Sequence, residues 1–160
     1  MRKYKNHTLK EYSDQLSLRV PVPGGGSAAA LAGSLGAALI SMVANYSLGK
    51  KSKAIDGQIK KLLFKSEKIR KHLLELVDLD AQAYLQVVKT RHASAAVKKK
   101  ALKKASDIPR EVCRSCFSAV ELTPFLVENG NRYLISDIEV AVELLNAAFN
   151  SALINVETNQ

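Results

Sequence analysis

The sequence predicts an all-α fold, a single-domain bundle of about five or six helices around a central helix rich in alanine and glycine. The 160 residues include only 8 glycines and 4 prolines, whereas a β-sandwich or barrel needs a turn about every 8–12 residues. Hydrophobic residues make up 47% of the chain and charged residues 24%, as in ordinary soluble globular proteins. Apolar positions recur at three- and four-residue steps, so we expect residues 1–160 to form one helical domain.

The first part of the chain predicts a short helix, an extended loop and a long buried helix. Thr8 and Glu11 have the spacing of a capping box, which predicts a helix over about residues 9–18. Two prolines and three glycines exclude helix over residues 19–26. Ser27 is expected to cap a second helix that runs to about Tyr46. Small residues recur along this helix, so a neighbouring backbone can approach it closely.

Residues 20–49 carry no charge, which raises the question of a membrane-spanning helix. A spanning helix needs about 20 strongly apolar residues. This segment is built mainly from alanine, glycine and serine. Its composition therefore favours a helix buried at the centre of a bundle or at a contact between subunits.

Three further helical stretches are predicted in the rest of the chain. Asp56 is expected to cap a long helix that reaches about Lys89 and has one apolar face. A fourth stretch starts near Ser94, and Pro109 is expected to break or kink it. A last helix over residues 136–156 is apolar nearly all round, which is typical of a central helix.

The net charge of +9 makes an anionic partner a reasonable expectation. The excess is concentrated in two segments: residues 50–72 hold nine Lys and Arg against two acidic residues, and residues 89–104 hold seven against none. Solvated helix faces explain such patches as well. The lysines of 98–104 have no interleaved aromatics, so a nucleic-acid partner is the weaker interpretation.

The sequence predicts a cytoplasmic location and no metal site. No apolar stretch follows the basic residues at the N-terminus, so no secretory signal is predicted. Two cysteines without a signal indicate a reducing compartment. Cys113 and Cys116 have C-x-x-C spacing, but no second cysteine pair accompanies them, and His72 and His92 lack paired-ligand spacing. We therefore expect both thiols to face the core.

Gly24, Gly25, Gly26 and Ser27 form a candidate binding site where the second helix is predicted to start. Free backbone N–H groups, the positive end of a helix dipole and a serine hydroxyl together suit an anion or a carbonyl group. The alternative is a flexible turn with a helix cap that needs no ligand.

Asp80 is the most informative single residue, because it falls on the apolar stripe of the third helix between Leu76 and Tyr84. A carboxylate in such surroundings costs on the order of several kcal/mol unless it is paired, hydrogen-bonded or protonated. Its partner is expected to be a lysine, a backbone amide or a substrate. Burial would raise its pKa toward the range useful for acid–base catalysis. The alternative is a structural ion pair with a neighbouring helix.

Two further polar residues are candidates. Asn45 continues an apolar stripe of the second helix, so we expect its amide to be half buried, in a structural hydrogen bond or against a ligand. Asp137 falls in the first turn of the last helix, where negative charge is favourable, and capping is the alternative to a functional role.

The segment P-V-P-G-G-G-S-A-A-A-L-A-G-S-L-G-A-A-L-I-S-M-V-A-N over residues 21–45 is the most distinctive stretch of the chain. Shorter blocks follow it in order: Gly49-Lys-Lys, Asp80-Ala-Gln-Ala-Tyr84, Ile108-Pro109, Gly130-Asn131 and Ile135-Ser-Asp137. Together they resemble the cyclodeaminase/cyclohydrolase family of folate enzymes, which includes the C-terminal domain of formiminotransferase-cyclodeaminase and bacterial methenyltetrahydrofolate cyclohydrolases. The resemblance implies an all-helical, homodimeric fold.

The resemblance also implies a folate one-carbon enzyme. Cyclodeamination closes the ring of 5-formiminotetrahydrofolate with loss of ammonia, and the cyclohydrolase reaction adds water to 5,10-methenyltetrahydrofolate to give 10-formyltetrahydrofolate. Neither reaction needs a metal, a covalent nucleophile or a cofactor beyond the folate substrate. Each needs proton transfer and groups that orient a pterin and an anionic tail.

We assign the acid–base role to Asp80 because of its apolar setting. Lys50 or Lys51 is expected to hold the folate glutamate or to assist proton transfer, and Asp137 to contact a ring nitrogen. A polyglutamylated folate would also give the basic patches a partner. The other predicted substrate contacts line the pterin or its carbonyl: Gly24, Gly25, Gly26, Ser27 and Asn45.

Two alternatives remain open. Family members usually continue with a further long helix, whereas this sequence stops at Gln160, which is compatible with an inactive folate-binding or assembly homologue. A basic nucleic-acid-binding helical protein is the second alternative, and it predicts an affinity that falls steeply with salt.

Overall fold

The computed structural model describes residues 3–158, and no strand occurs among them. This confirms the predicted all-α class. Short 3-10 turns lie at Tyr4–Asn6 and Arg132–Leu134. The α-helices are Leu9–Ser17 (α1), Gly25–Ser47 (α2), Lys53–Lys89 (α3), Ala95–Val120 (α4), Thr123–Asn129 (α5) and Ile135–Thr158 (α6).

The four long helices form an antiparallel bundle in which α2 packs against α3 and α6, and α4 packs against the same two helices on the opposite side. Each long helix contributes large apolar side chains to one core. Representative members, all fully buried, are Ile40, Leu73, Val112 and Leu145.

Glycines set how closely α2 is approached by its neighbours. A Cβ at position 36 would lie 2.8 Å from the Leu145 Cγ and 3.0 Å from the Ala141 carbonyl oxygen of α6. A Cβ at position 33 would lie 3.0 Å from the Cys116 Sγ of α4. The predicted close approach of neighbouring helices is therefore found.

By length and composition alone α2 is apolar enough to cross a membrane, with a mean hydropathy of 1.7 over its most apolar window. Within the protein, 61% of that window is buried. The central helix of a bundle meets the same criterion, so this is weak evidence for a membrane span.

The capping box at α1 is confirmed, and two other predicted caps are wrong. The Glu11 N–H donates to the Thr8 hydroxyl at 3.1 Å, and the Thr8 N–H donates to the Glu11 carboxylate at 2.6 Å. Ser27 does not cap α2, because that helix already begins at Gly25. Asp56 does not cap α3, since the helix begins earlier, at Lys53, and the Asp56 carboxylate accepts a hydrogen bond from a loop N–H instead.

Of the break or kink predicted at Pro109, the break is wrong. α4 runs without interruption from Ala95 to Val120 with this proline inside it. The Pro109 ring is fully buried in the core. Its packing offsets the hydrogen bond that a proline cannot donate to the preceding turn.

Candidate active site

The first turn of α2 lies directly against the Asp80 carboxylate of α3. A Cβ at position 26 would lie 2.6 Å from the Asp80 Cγ and 2.9 Å from its Oδ2. Only glycine leaves room for the carboxylate at this distance. A hydrogen bond from the backbone of Ser27, the next residue, lowers the pKa of the same carboxyl group. The predicted proximity of Asp80 to the triple-glycine turn is therefore found in the structure.

Asp80 has a backbone amide as its partner rather than a cation. Among residues 3–158, no Lys or Arg forms an ion pair with it. Burial raises the pKa of the Asp80 carboxyl above its ordinary value of 3.8, and the Ser27 hydrogen bond opposes that shift. A carboxyl group whose pKa moves toward neutrality can both accept and return a proton.

Asp80 lines a cleft of about 380 Å³ between α2, α3, α4 and α6. Such a volume lies within the range of about 300–1,000 Å³ that is typical of small-molecule sites. The loop before α2 and the three other helices supply apolar side chains, and Asn155 and Thr158 supply polar groups from the end of α6. Its apolar and aromatic lining residues are Pro21, Val22, Tyr84, Val87, Leu102 and Ala105.

The N-terminal segment contacts this site through two tyrosines. The Tyr12 hydroxyl lies 3.0 Å from the Ser27 hydroxyl. The Tyr4 hydroxyl donates to the Val22 carbonyl at 3.1 Å, and the Tyr4 N–H donates to the Asp78 carboxylate at 2.6 Å. Sequence reasoning missed Tyr12 and Asp78. The signal for Tyr12 was a lone aromatic residue in a short polar helix.

Lys50 and Lys51 lie beyond the other end of α2, whose 23 residues at a rise of ~1.5 Å each separate its two ends by about 33 Å. Both lysines line a second cavity of about 390 Å³ together with Asn131, Arg132 and Tyr133. Three basic side chains at one cavity suit a carboxylate or another anion. We call this region the lysine end, and the region of residues 24–27 and Asp80 the glycine end.

Asn45 and Asp137 lie outside the glycine-end cleft. Asn45 is exposed rather than half buried, and it lines an outer groove with Met42 and Tyr46. Asp137 lies in the first turn of α6, whereas it is the last turns of this helix, at Asn155, that line the cleft.

Within one chain the structure therefore brings Gly24–Ser27 together with Asp80, and does not bring Lys50, Lys51 or Asp137 to them. Direct proton transfer requires heavy atoms about 2.6–3.2 Å apart. The roles assigned to Lys50, Lys51 and Asp137 stay predictions, because within one chain the length of α2 separates its two ends.

The C-x-x-C pair carries no site of its own. Cys116 is buried and Cys113 half buried, and both are free thiols. Burial raises the pKa of the Cys116 thiol to about 12 and also raises that of Cys113. Among residues 3–158, no group of three His, Cys, Asp or Glu side chains is placed to hold a metal ion. A reaction without metal or cofactor stays a prediction.

Comparison with known proteins identifies relatives over the whole bundle. The family model described as formiminotransferase-cyclodeaminase matches residues 8–160. A methenyltetrahydrofolate cyclohydrolase from Methylorubrum extorquens is 38% identical, over 96% of this chain and 79% of its own length. A formimidoyltransferase-cyclodeaminase from Mus musculus is 28% identical over 95% of this chain, which spans only 30% of that larger protein.

A solved structure has the same fold. The crystal structure of a formiminotetrahydrofolate cyclodeaminase from Thermotoga maritima superposes with a TM-score of 0.92 at 31% sequence identity. The match covers 97% of this chain and 79% of the other.

Proposed function

The chain belongs to the formiminotransferase-cyclodeaminase family, and from this premise we propose that it interconverts 5,10-methenyltetrahydrofolate and 10-formyltetrahydrofolate at the Asp80 cleft. Relatives of both kinds make it a folate one-carbon enzyme of the cyclohydrolase or cyclodeaminase type. The observation that carries the site is the half-buried Asp80 carboxylate against Gly26, facing a cleft to which residues 3–158 contribute no Lys or Arg.

In the cyclohydrolase direction, a water molecule attacks the methenyl carbon while the Asp80 carboxylate takes one of its protons. The tetrahedral adduct then opens by breaking its bond to N5, which receives that proton from the Asp80 carboxyl. Formation of the formyl C=O on N10 releases the remaining hydroxyl proton to solvent. One carboxyl group whose pKa is raised by burial can serve both proton transfers.

Cyclodeamination is the second candidate, favoured by the structural match to a cyclodeaminase. There N10 attacks the protonated formimino carbon of 5-formiminotetrahydrofolate. Asp80 takes the N10 proton and returns it to the amino group, which leaves as ammonia. The same carboxyl position serves both reactions, since both act at the carbon between N5 and N10.

The proposal includes a homodimer formed through the outer face of α2. This helix is covered by α3 and α6 on two sides, yet Leu35 is 49% exposed and Tyr46 59% exposed on its outer side. An apolar face on a central helix is typical of a contact between subunits. A second copy would cover it with the same face, as two-fold symmetry requires.

Such a dimer would make the active site composite. A two-fold axis that crosses α2 near its midpoint sets the two α2 helices antiparallel. The glycine end of one subunit then lies beside the lysine end of the other. On this proposal Lys50 and Lys51 of the partner subunit hold the substrate glutamate at the cleft lined by Asp80.

A polyglutamate tail is part of the same proposal. Leu102 lines both the Asp80 cleft and an adjoining groove of about 550 Å³ that contains Lys98, Lys99 and Lys103. Ammonium groups next to the cleft suit successive γ-glutamyl carboxylates. The expected result is a lower KM for a polyglutamylated substrate than for the monoglutamate, with a difference that shrinks as salt rises.

We also propose that the reaction needs no metal or cofactor. The proposed location of the protein is the cytoplasm. Proton transfer and orientation are the only chemical demands of either reaction. The two free thiols are compatible with a reducing compartment.

The direct test follows the near-ultraviolet absorbance of 5,10-methenyltetrahydrofolate with purified protein. Turnover is expected, and Asp80→Asn should lower kcat by about 100- to 10,000-fold because the proton acceptor is lost. Asp14→Asn is the matched control, since that carboxylate is exposed on α1 and pairs with Lys10. Undiminished turnover by Asp80→Asn would remove the assigned role. A wild-type protein that binds either folate without turnover would instead be an inactive homologue.

A further inference from the structure

α1 is a surface helix that buries a single side chain. Leu9 is 84% exposed, whereas Tyr12 is 8% exposed and is the only buried residue of the helix. The capping box at Thr8 and Glu11 fixes where the helix starts. α1 therefore contributes little apolar packing, and what it places in the interior is one phenol group.

The Tyr12 hydroxyl contacts Ser27, the residue that follows the glycine lying against Asp80. It lies 3.0 Å from the Ser27 hydroxyl, and Ser27 is completely buried. Buried hydroxyls are costly when left without a partner, so this contact fixes the rotamer and position of Ser27. The Asp80 carboxylate lies against Gly26, the residue before Ser27, and a hydrogen bond from the Ser27 backbone lowers its pKa. A continuous chain of contacts thus runs from Tyr12 to the carboxylate.

Among residues 3–158, the elements packed around Asp80 present few other polar groups to it. α4 presents Leu102 and Ala105 to the cleft, and α6 presents Asn155 and Thr158. The titratable groups nearby are Tyr84 and Asp78 on α3, Tyr4 in the N-terminal segment, and Tyr12 itself.

Tyr12 remains a protonated hydroxyl at neutral pH. Burial raises its pKa, the hydrogen bond with Ser27 lowers it, and the negative charge of Asp80 raises it further. A hydroxyl that keeps its proton stays available as a hydrogen-bond donor to Ser27.

We infer that Tyr12 is a positioning residue, which acts on Asp80 through Ser27 and keeps the first turn of α2 aligned with the carboxylate. The inference rests on the proposed function for its catalytic consequence, but the contact itself has a readout that needs no turnover. Without the Tyr12 hydroxyl, Ser27 loses its fixed position, and its N–H stabilises the Asp80 carboxylate less.

The test compares Tyr12→Phe with Tyr4→Phe. Both remove one buried tyrosine hydroxyl, but the Tyr4 hydroxyl bonds to the Val22 carbonyl and does not touch Ser27. In a ¹³C-carboxyl NMR titration, with the Asp80 signal assigned by its loss in Asp80→Asn, Tyr12→Phe should move the Asp80 titration to higher pH. Tyr4→Phe should leave that titration in place, while thermal denaturation shows whether the two variants lose comparable stability.

Kinetics supply the second readout. Tyr12→Phe should lower kcat by about 10-fold with little change in KM, because positioning rather than binding is lost. Its effect should not add to that of Ser27→Ala, because both variants break the same chain of contacts. An unmoved titration in Tyr12→Phe, or an equal shift in Tyr4→Phe, would overturn the inference. A shifted titration in a protein without turnover would leave the positioning role standing and overturn the proposed function.

Discussion

At its N-terminal end α2 lies against a half-buried carboxylate, beside which the described part of the chain places no Lys or Arg, whereas beyond its C-terminal end three basic side chains line a cavity. The glycine end holds one charge in apolar surroundings and fixes it with a backbone amide. At the lysine end, Lys50, Lys51 and Arg132 are all exposed to solvent. The same helix therefore joins two regions of opposite charge and different solvation.

The difference separates two tasks that one folate substrate requires. Proton transfer benefits from a desolvated group whose pKa is shifted toward neutrality. Holding an anionic tail needs cations, which work well at the surface. About 33 Å of helix lies between the two regions. A site that uses both would take each from a different subunit.

After Asp80→Asn, the largest effect is expected from Gly26→Ala at the glycine end. The added methyl group would collide with the Asp80 carboxylate, so Asp80 must move out of its position. We expect kcat/KM for 5,10-methenyltetrahydrofolate to fall by about 100-fold or more, since small displacements of reacting groups cost this much. The rate at which the absorbance of 5,10-methenyltetrahydrofolate decreases measures this fall in kcat/KM.

Gly57→Ala is the matched control for that variant. It makes the same change within a helix, but a Cβ at position 57 meets nothing within 4 Å. Its activity should stay at the wild-type level, with a stability gain of about 0.5–1 kcal/mol from helix propensity. Equal activity losses in both variants would show that Gly26 has no special relation to Asp80.

A smaller effect is expected at the lysine end. Replacing Lys50 and Lys51 together by alanine should raise KM by about 10- to 100-fold and leave kcat within about threefold, because it removes binding of the substrate tail. Lys10→Ala serves as the control, since Lys10 is exposed and pairs with Asp14 on α1. A collapse of kcat at unchanged KM would assign the lysines to proton transfer instead.

The smallest effect concerns stability at the glycine end. Because burial raises the pKa of Asp80 above 3.8 in the folded protein, the native state keeps this proton to higher pH than the unfolded chain does. The free energy of unfolding therefore falls as the pH rises from the ordinary pKa of the carboxyl group through its raised pKa in the folded protein. Asp80→Asn should raise the Tm at neutral pH and leave it unchanged in acid below the ordinary pKa, as measured by thermal denaturation. If Asp80→Asn had a lower Tm than the wild type at neutral pH, that result would contradict a free-energy cost of burying the Asp80 carboxylate.

Much of the fold could be predicted from the sequence, because helical periodicity and the capping box are local signals. The predictions failed where distant packing decides. Pro109 stays inside a helix because its ring is buried, and Ser52 rather than Asp56 caps α3. The Asp56 carboxylate instead accepts a hydrogen bond from the N–H of Gly49, and no pattern in the sequence indicates this contact.

The site was predictable to a similar degree. Asp80 on an apolar stripe and glycines before a helix both indicate a polar group that needs close backbone approach, and the two lie together. Spacing along the chain does not report how elements far apart in sequence are arranged, so it could not show that Lys50 and Asp80 lie near opposite ends of α2. Tyr12 carried only the weak signal of a lone aromatic residue in a short polar helix, because a buried hydroxyl contact depends on the tertiary fold.

The most direct test of the central claim, that one active site takes its acid from one subunit and its lysines from the other, is complementation between variants. Asp80→Asn and the Lys50/Lys51 double alanine variant are unfolded together and refolded in equal amounts, then assayed at low substrate concentration. Half of the dimers become mixed, and each holds one intact site, so activity should recover to about one quarter of wild type. Activity that stays at the average of the two separate variants would contradict a shared site.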